Sequence, residues 1–399
     1  VMVRLLLQCL KPDVRILHVI PSLSAVHGGP SRALPLMERE LAARGVSVET
    51  VTSDDDGPGR RNGRRCGVAL TENGVIRRYF RKQVDFYKVS LTMARWLSQH
   101  ARDYDLLHIH ALFSFSTIVA ARAARRAGVP YIIRPLGTLG HYGVTQRRPW
   151  LKRLSLALLD GPALRHAAAV HFTSEDEQRE AAQWGLAMHG AVIPLGIEPA
   201  GAANAPLVRE RFPALGRAPY LLYLSRLDPK KNIEGLLQAF SQLPSALRHV
   251  RLLVAGDGAP DYVAALHALA VQHGLADRVI WAGQVEGALK ASALAGAEAF
   301  VLPSFSENFG IAAAEALMAG LPCVLGQGVA IARDVALAGA GLAVAPDPAS
   351  VAAGLVHVLA DPAGRSTMAS AARQLAQQRY SSQAMGLNLL KLYSEILKP

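Results

Sequence analysis

Residues 299–322 read AFVLPSFSENFGIAAAEALMAGLP, and the parsing of this stretch governs the parsing of the rest. A short apolar run, Ala299–Leu302, has the composition of a buried strand and breaks at Pro303. A polar loop follows (Ser304, Phe305, Ser306, Glu307, Asn308), then Gly310, then an apolar helix from about Ile311 to Ala319. Gly320 just past the helix and Pro322 beyond it are stop signals. Strand, tight loop and helix start is the geometry in which free backbone N–H groups and the helix dipole point at an anion. Glu307 in the loop and Glu315 one turn into the helix stand eight positions apart. A carboxylate beside a phosphate would repel it, so the pair suits neutral hydroxyls on either side of a phosphate, such as those of a ribose and a sugar. Taken alone, the same two residues read equally well as an early-helix acid favoured by the dipole and a solvated loop residue.

Outward from this stretch, strand-then-helix alternation fills the chain. Residues 14–21 (VRILHVIP), 46–53 (VSVETVTS), 106–110 (LLHIH), 131–135 (YIIRP), 169–174 (AVHFTS) and 191–197 (AVIPLGI) read as buried strands. Ser174 and Glu177 form a capping box for the helix that follows. A Pro/Ala/Gly-rich stretch, 198–206, is the linker candidate. Alternation resumes with 220–225 (YLLYLS), 250–258 (VRLLVAGDG), 279–283 (VIWAG), the quoted strand and 323–326 (CVLG). Two such runs predict an α/β chain of two Rossmann-like, doubly wound parallel-sheet domains with a cleft between them: residues 1–197, then 198–380, with 381–399 returning to the first.

At 399 residues and 51% hydrophobic, the chain is long enough for two cores. The three cysteines, Cys9, Cys66 and Cys323, have neither disulfide nor zinc spacing, which fits a reducing, cytoplasmic setting. No apolar run is long enough to span a bilayer, and residues 1–13 lack the features of a signal peptide. The net charge of +12 is lopsided: residues 1–196 hold 27 Lys+Arg against 16 Asp+Glu, and the remainder 16 against 15. The excess lies in RRNGRR (60–65), RRYFRK (77–82) and RRPWLKR (147–153). A basic face suggests an anionic partner, and the Trp within the last run tilts the choice toward peripheral contact with the inner face of an anionic membrane.

In parallel sheets ligands bind outside the carboxyl ends of the strands. In the first half that rule selects the loop His27, Gly28, Gly29, Pro30, Ser31, whose glycines let backbone approach a ligand ahead of a helix. It also selects His110, with His108 on the same face kept as a core residue, and Arg134, where a charge needs an open face or a partner. The acidic triplet Asp54–Asp56 reads as solvated rather than metal-binding. In the second half it selects SRLDPKKN (225–232), where Arg226 and Lys231 are the cations best placed to reach a diphosphate, with Lys230 a substitute.

Assembled in this order, the motifs resemble those of the family-4 retaining glycosyltransferases, which have the GT-B fold. The resemblance runs from residue 14 almost to the end, through VRILHVIPSLSAVHGGPSRAL, LLHIHA, IIRPLGTL, YLLYLSRLDPKKN, LLVAGDG and FVLPSFSENFGIAAAEALMAGLP. It implies that Glu315 holds the nucleotide ribose and that Glu307, with Asn308, Phe309, Gly310 and Ile311, holds the donor sugar. Arg226 and Lys231 would neutralise the leaving diphosphate with help from Gly28 and Gly29, and His110 would contact the sugar near the reacting carbon. It further implies retention of configuration, no cofactor, no essential metal, and a C-terminal helix crossing back to the first domain. The expected activity is transfer of a hexose-type sugar from a UDP- or GDP-linked donor to a saccharide or lipid-linked acceptor in cell-surface polysaccharide or lipopolysaccharide synthesis. Competing readings are a nucleotide-sugar epimerase of the same fold and a basic nucleic-acid binder. The second predicts aromatics interleaved with Lys/Arg, whereas aromatics make up only 6% of the chain.

Overall fold

The computed structural model describes residues 13–27, 29–72, 74–140, 144, 149–201 and 206–398. The chain divides into two compact units, residues 1–196 with 382–399, and residues 197–381. Both are α/β units built on parallel sheets.

The first unit carries strands β1 (Arg15–Val19), β2 (Ser47–Ser53), β3 (Ala69–Glu72), β4 (Val75–Phe80), β5 (Leu106–His110), β6 (Tyr131–Arg134), β7 (Ala169–Phe172) and β8 (Gly190–Val192) in the order β3-β4-β2-β1-β5-β6-β7-β8. All pairs are parallel except β3 with β4. Strand order reverses between β1 and β5, whose register sets His18 beside His108. Side-chain alternation buries both faces: Leu17, Val19, Leu107 and Ile109 enter one core, and Ile16, Leu106 and Ile132 the other. Helices α1 (Gly29–Ala42) and, from the far end of the chain, α2 (Ser382–Ile396) cover that second core with Leu34, Met37, Met385, Leu389 and Tyr393.

The second unit carries β9 (Tyr220–Leu224), β10 (Arg251–Ala255), β11 (Val279–Gly283), β12 (Ala299–Leu302), β13 (Cys323–Gly326) and β14 (Gly341–Val344), in the order β11-β10-β9-β12-β13-β14. Every pair is parallel. The order reverses between β9 and β12, the position where an open parallel sheet leaves a crevice beyond its strand ends.

Three expectations need correction. No strand is expected between residues 53 and 106, yet β3 and β4 form a hairpin there, with Gly74 at φ 79° in its turn. The edge strand β3 alternates exposed and half-buried residues, so it carries little apolar signal. The acidic triplet is not solvated: Asp54 and Asp55 are buried, and Asp55 accepts from Lys82 Nζ at 2.6 Å, Lys88 Nζ at 2.5 Å and His27 Nε2 at 2.6 Å. These donors hold its carboxyl well below the ordinary carboxylate range against the opposing effect of burial. The run 77–82 is not a free basic face, because Arg77 is paired to buried Glu38 at 2.5 Å and to Glu72 at 3.0 Å, and Arg78 to Glu49. Among the described residues no helix is long and apolar enough to cross a membrane.

Candidate functional site

Two loops meet at the strand-order reversal of the second unit. After β9 the chain stays paired beyond the sheet through Ser225 N–H to Ala255 O (3.1 Å) and Leu227 N–H to Asp257 O (2.8 Å). A Cβ on Gly256 would lie 1.7 Å from Ser225 O, so only glycine permits this approach. Asp228 then accepts from Lys230 N–H at 3.0 Å and opens a short turn over Pro229–Lys231. Asn232 closes it in the left-handed region (φ 56°), which asparagine tolerates better than most residues. Its Nδ2 donates to Pro303 O at 3.0 Å and Pro346 O at 2.6 Å, while Phe305 N–H donates to Lys230 O at 3.0 Å. The turn bearing Lys231 is thereby fastened to the loop bearing Glu307.

That loop is pinned from its other side by Glu307 N–H to Gly328 O (2.8 Å) and Ala330 N–H to Glu307 O (3.2 Å). Gly310 (φ 93°) turns it into helix α3 (Ile311–Ala319), with no room for a side chain since a Cβ would sit 2.9 Å from Val329 Cγ1. Among the described residues no side chain caps the α3 N-terminus. Lys231 Nζ bonds directly to the Glu307 carboxylate, although both come from loops 76 residues apart. Glu315, one turn into α3, accepts from Lys290 Nζ at 2.7 Å. Lys231, Glu307, Gly310, Ile311 and Glu315 are thus gathered at one strand-order reversal, with Arg226 exposed in the loop between β9 and that turn. Asn308 is exposed; Phe309 is buried edge-on against Tyr380 at 5.7 Å, leaving its backbone to serve a ligand. The arrangement can offer an anion one held cation and a helix start, with carboxylates on both sides for hydroxyls.

In the first unit Gly28 lies outside the described residues, and Gly29 begins α1. His27 is held by Asp55, and Lys88 Nζ lies 2.8 Å from its ring. His110 and Arg134 are register partners at the carboxyl ends of β5 and β6. Both side chains are enclosed in this structure, at 0% and 1% exposure. His110 Nε2 lies 2.8 Å from His18 Nδ1, and its own Nδ1 has no partner among the described residues. Burial pushes Arg134 down to about 10. His108 is fully buried, as its core assignment requires, and two further bonds define its tautomer. His171 Nε2 donates to Ile193 O at 2.9 Å, so its Nδ1 accepts from His108 Nε2 at 3.3 Å, and His108 Nδ1 accepts from Tyr393 Oη at 2.7 Å. Ring nitrogens of His18, His108 and His110 fall within 4.8 Å of one another, the one metal-like grouping among the described residues. The adjacent Arg134 charge and complete enclosure oppose a divalent ion there.

Several of these features have no sequence signal. Asn232, His18 and the left-handed Ala111 (φ 78°), Phe113 (φ 53°) and Leu136 (φ 59°), which follow β5 and β6, acquire meaning only once the strands are placed. Lys290 left a faint mark as the sole charge of the helix GALKASALA. The expected capping box is met on one side only: Ser174 Oγ accepts from Glu177 N–H at 3.1 Å, while the Glu177 carboxylate accepts from Thr173 N–H at 2.7 Å and Gly137 N–H at 2.6 Å, tying the loop after β6 to β7.

Comparison with known proteins agrees with this architecture. Residues 28–196 match the family described as "Glycosyl transferase 4-like domain", and residues 207–375 match "Glycosyl transferases group 1". A D-inositol 3-phosphate glycosyltransferase from Xylanimonas cellulosilytica is 32% identical over 238 residues, covering 55% of this chain and 56% of that protein. A phosphatidyl-myo-inositol mannosyltransferase from Mycolicibacterium smegmatis is 30% identical over 235 residues, 58% of this chain and 55% of that one. The chain therefore spans little more than half the length of these curated relatives. Among solved structures, sucrose-phosphate synthase from Thermosynechococcus elongatus superposes with a TM-score of 0.73 at 22% identity, covering 96% of this chain and 99% of that one. Anabaena HepE in complex with UDP and glucose gives 0.74 at 21% identity, covering 96% and 100%. From matching models on both units and a shared architecture it follows that the chain belongs to the family-4 glycosyltransferases of the GT-B fold.

Proposed function

We propose that the protein moves a hexose-type sugar from a UDP- or GDP-linked donor to a saccharide or lipid-linked acceptor in cell-surface glycan synthesis, with retention and without an essential metal ion. The observation that carries this reading is the joining of Lys231 to Glu307 beside the uncapped α3 N-terminus. The relatives' names, an inositol-phosphate glycosyltransferase and a phosphatidylinositol mannosyltransferase, and a structural neighbour bound to UDP and glucose support the substrate classes.

Cleavage of a glycosyl–phosphate bond builds negative charge on the diphosphate and oxocarbenium character on the sugar. Lys231, held on Glu307, and the helix start are donors for the first, positioned before the charge appears, and the exposed Arg226 adds a mobile charge. Glu307 accepts sugar hydroxyls and Glu315 the ribose diol. The acceptor attacks from the face the diphosphate leaves, and a phosphate oxygen takes its proton. In the first unit, His110 contacts the donor sugar near the reacting carbon and Arg134 stands on the acceptor side of this reading. A panel of UDP-, GDP- and ADP-sugars screened by thermal stabilisation identifies the donor, since a ligand bound only by the folded state raises Tm. Free nucleoside diphosphate should then appear only when acceptor is added; nucleotide release without acceptor, with an epimerised sugar, would replace transfer by epimerisation.

The acceptor is met, in this account, at the inner face of an anionic membrane. Helix 149–158 exposes Trp150 (67%), Leu154 (50%) and Leu158 (65%), spaced four apart on one face, with Arg153 exposed beside them. Replacing Trp150 and Leu154 together by Ser should weaken co-sedimentation with phosphatidylglycerol vesicles by roughly tenfold or more. Equal binding by the variant would remove this face from the account.

A further inference from the structure

Helix 287–295, GALKASALA, follows β11 and packs against α3. Its buried residues are Ala291, Ser292, Ala293 and Leu294, and its one charge is Lys290. That ammonium reaches across to Glu315 at 2.7 Å, with 22% of the lysine and 21% of the glutamate side chain exposed. An ion pair this open to water contributes little to stability, so packing alone gives poor reason for a lysine on an otherwise apolar helix. The same pattern occurs at the other carboxylate, where Lys231 holds Glu307. Each acid of the Glu307/Glu315 pair is thus matched with a lysine from a neighbouring element.

We propose that Lys290 is a nucleotide-binding residue that reads the ribose together with Glu315. A vicinal diol carries both donors and acceptors, whereas a carboxylate only accepts. Glu315 accepts a hydrogen bond from one hydroxyl, and Lys290, three donors on a mobile stem, donates one to a hydroxyl oxygen while keeping the carboxylate oriented. The pair therefore selects a ribose over a sugar lacking the diol. This inference rests on reading Glu315 as the ribose acceptor.

The test titrates UDP and 2′,3′-dideoxy-UDP into the intact chain and its variants by calorimetry. The unaltered protein should prefer UDP. Lys290→Met, which keeps the stem and removes the charge, should weaken UDP roughly tenfold while leaving the dideoxy compound nearly unchanged, so the preference shrinks. Lys290→Arg should recover most of it, and Tm without nucleotide should stay the same. Equal weakening of both compounds by Lys290→Met marks a merely structural lysine and overturns the proposal, as does no weakening of either. Glu315→Ala separates the two levels. If it weakens UDP while Lys290→Met is silent, only the lysine's role fails; if Glu315→Ala leaves UDP binding intact, the ribose assignment fails and takes Lys290 with it.

Discussion

Lys231→Ala is expected to lower sugar transfer by about 10²–10³-fold, the usual effect of removing one preorganised donor from a site where charge develops. The effect should fall mainly on kcat, because the diphosphate carries more charge in the transition state than in the bound donor. The side chain is 9% exposed and fixed on Glu307, so it meets the ligand already oriented. Its loss also leaves Glu307 without its cation, which disturbs the sugar contact from the other side. Lys231→Arg should restore little, since the fork of a guanidinium does not fit a place shaped for a point charge. Steady-state rates at saturating donor decide the matter, and a variant within about threefold of the original would show that the cation does not act on the leaving group.

Acid should unfold the first unit steeply, well before its carboxylates titrate. His18, His108, His110 and His171 are all buried and neutral, His18 and His171 pushed down to about 3 and the other two well below the ordinary value of 6.5, with burial the main cause in each. Arg134 from β6 adds charge beside all four, and Tyr393 from α2 bonds to His108, while Glu177 is a counter-charge acting on Arg134. Because the native pKa of each ring lies below its unfolded value, the unfolded chain binds protons that the native chain refuses. Stability is therefore complete above about pH 7 and drains away as pH falls below 6.5, by about 1.4 kcal/mol per histidine per pH unit. Four rings together remove on the order of 5 kcal/mol between pH 7.5 and 5.5, a large share of the usual stability of a domain. Urea unfolding at those two values measures it. An unchanged midpoint would mean that the four rings are not held neutral together.

The quoted stretch was legible to the residue: β12 spans Ala299–Leu302 and α3 Ile311–Ala319 because Pro303, Gly310 and Gly320 punctuate it with conformations few other residues adopt. The parallel alternation was legible for the same reason, as strands buried on both faces must be apolar throughout. What escaped was decided by partners distant in sequence. Asp55 is buried because Lys82 and Lys88 reach it, and Arg77 because Glu38 lies 39 residues earlier. No local composition announces either. His110 and Arg134 illustrate the same limit, since the strand-end rule locates their position but not the neighbours His18 and Tyr393 that enclose the histidine array. Glu307 and Lys231 were legible as chemistry, whereas their direct bond depends on Asn232 fastening two loops.

The central claim is that a nucleoside diphosphate binds the second unit between the Lys231 turn and Glu315. Calorimetric titration of UDP and GDP into the original chain and Glu315→Ala tests it most directly. The account predicts saturable binding of one of them at one site per chain, weakened roughly tenfold or more by the substitution. No binding of either nucleotide, or equal affinity in the two proteins, would contradict it.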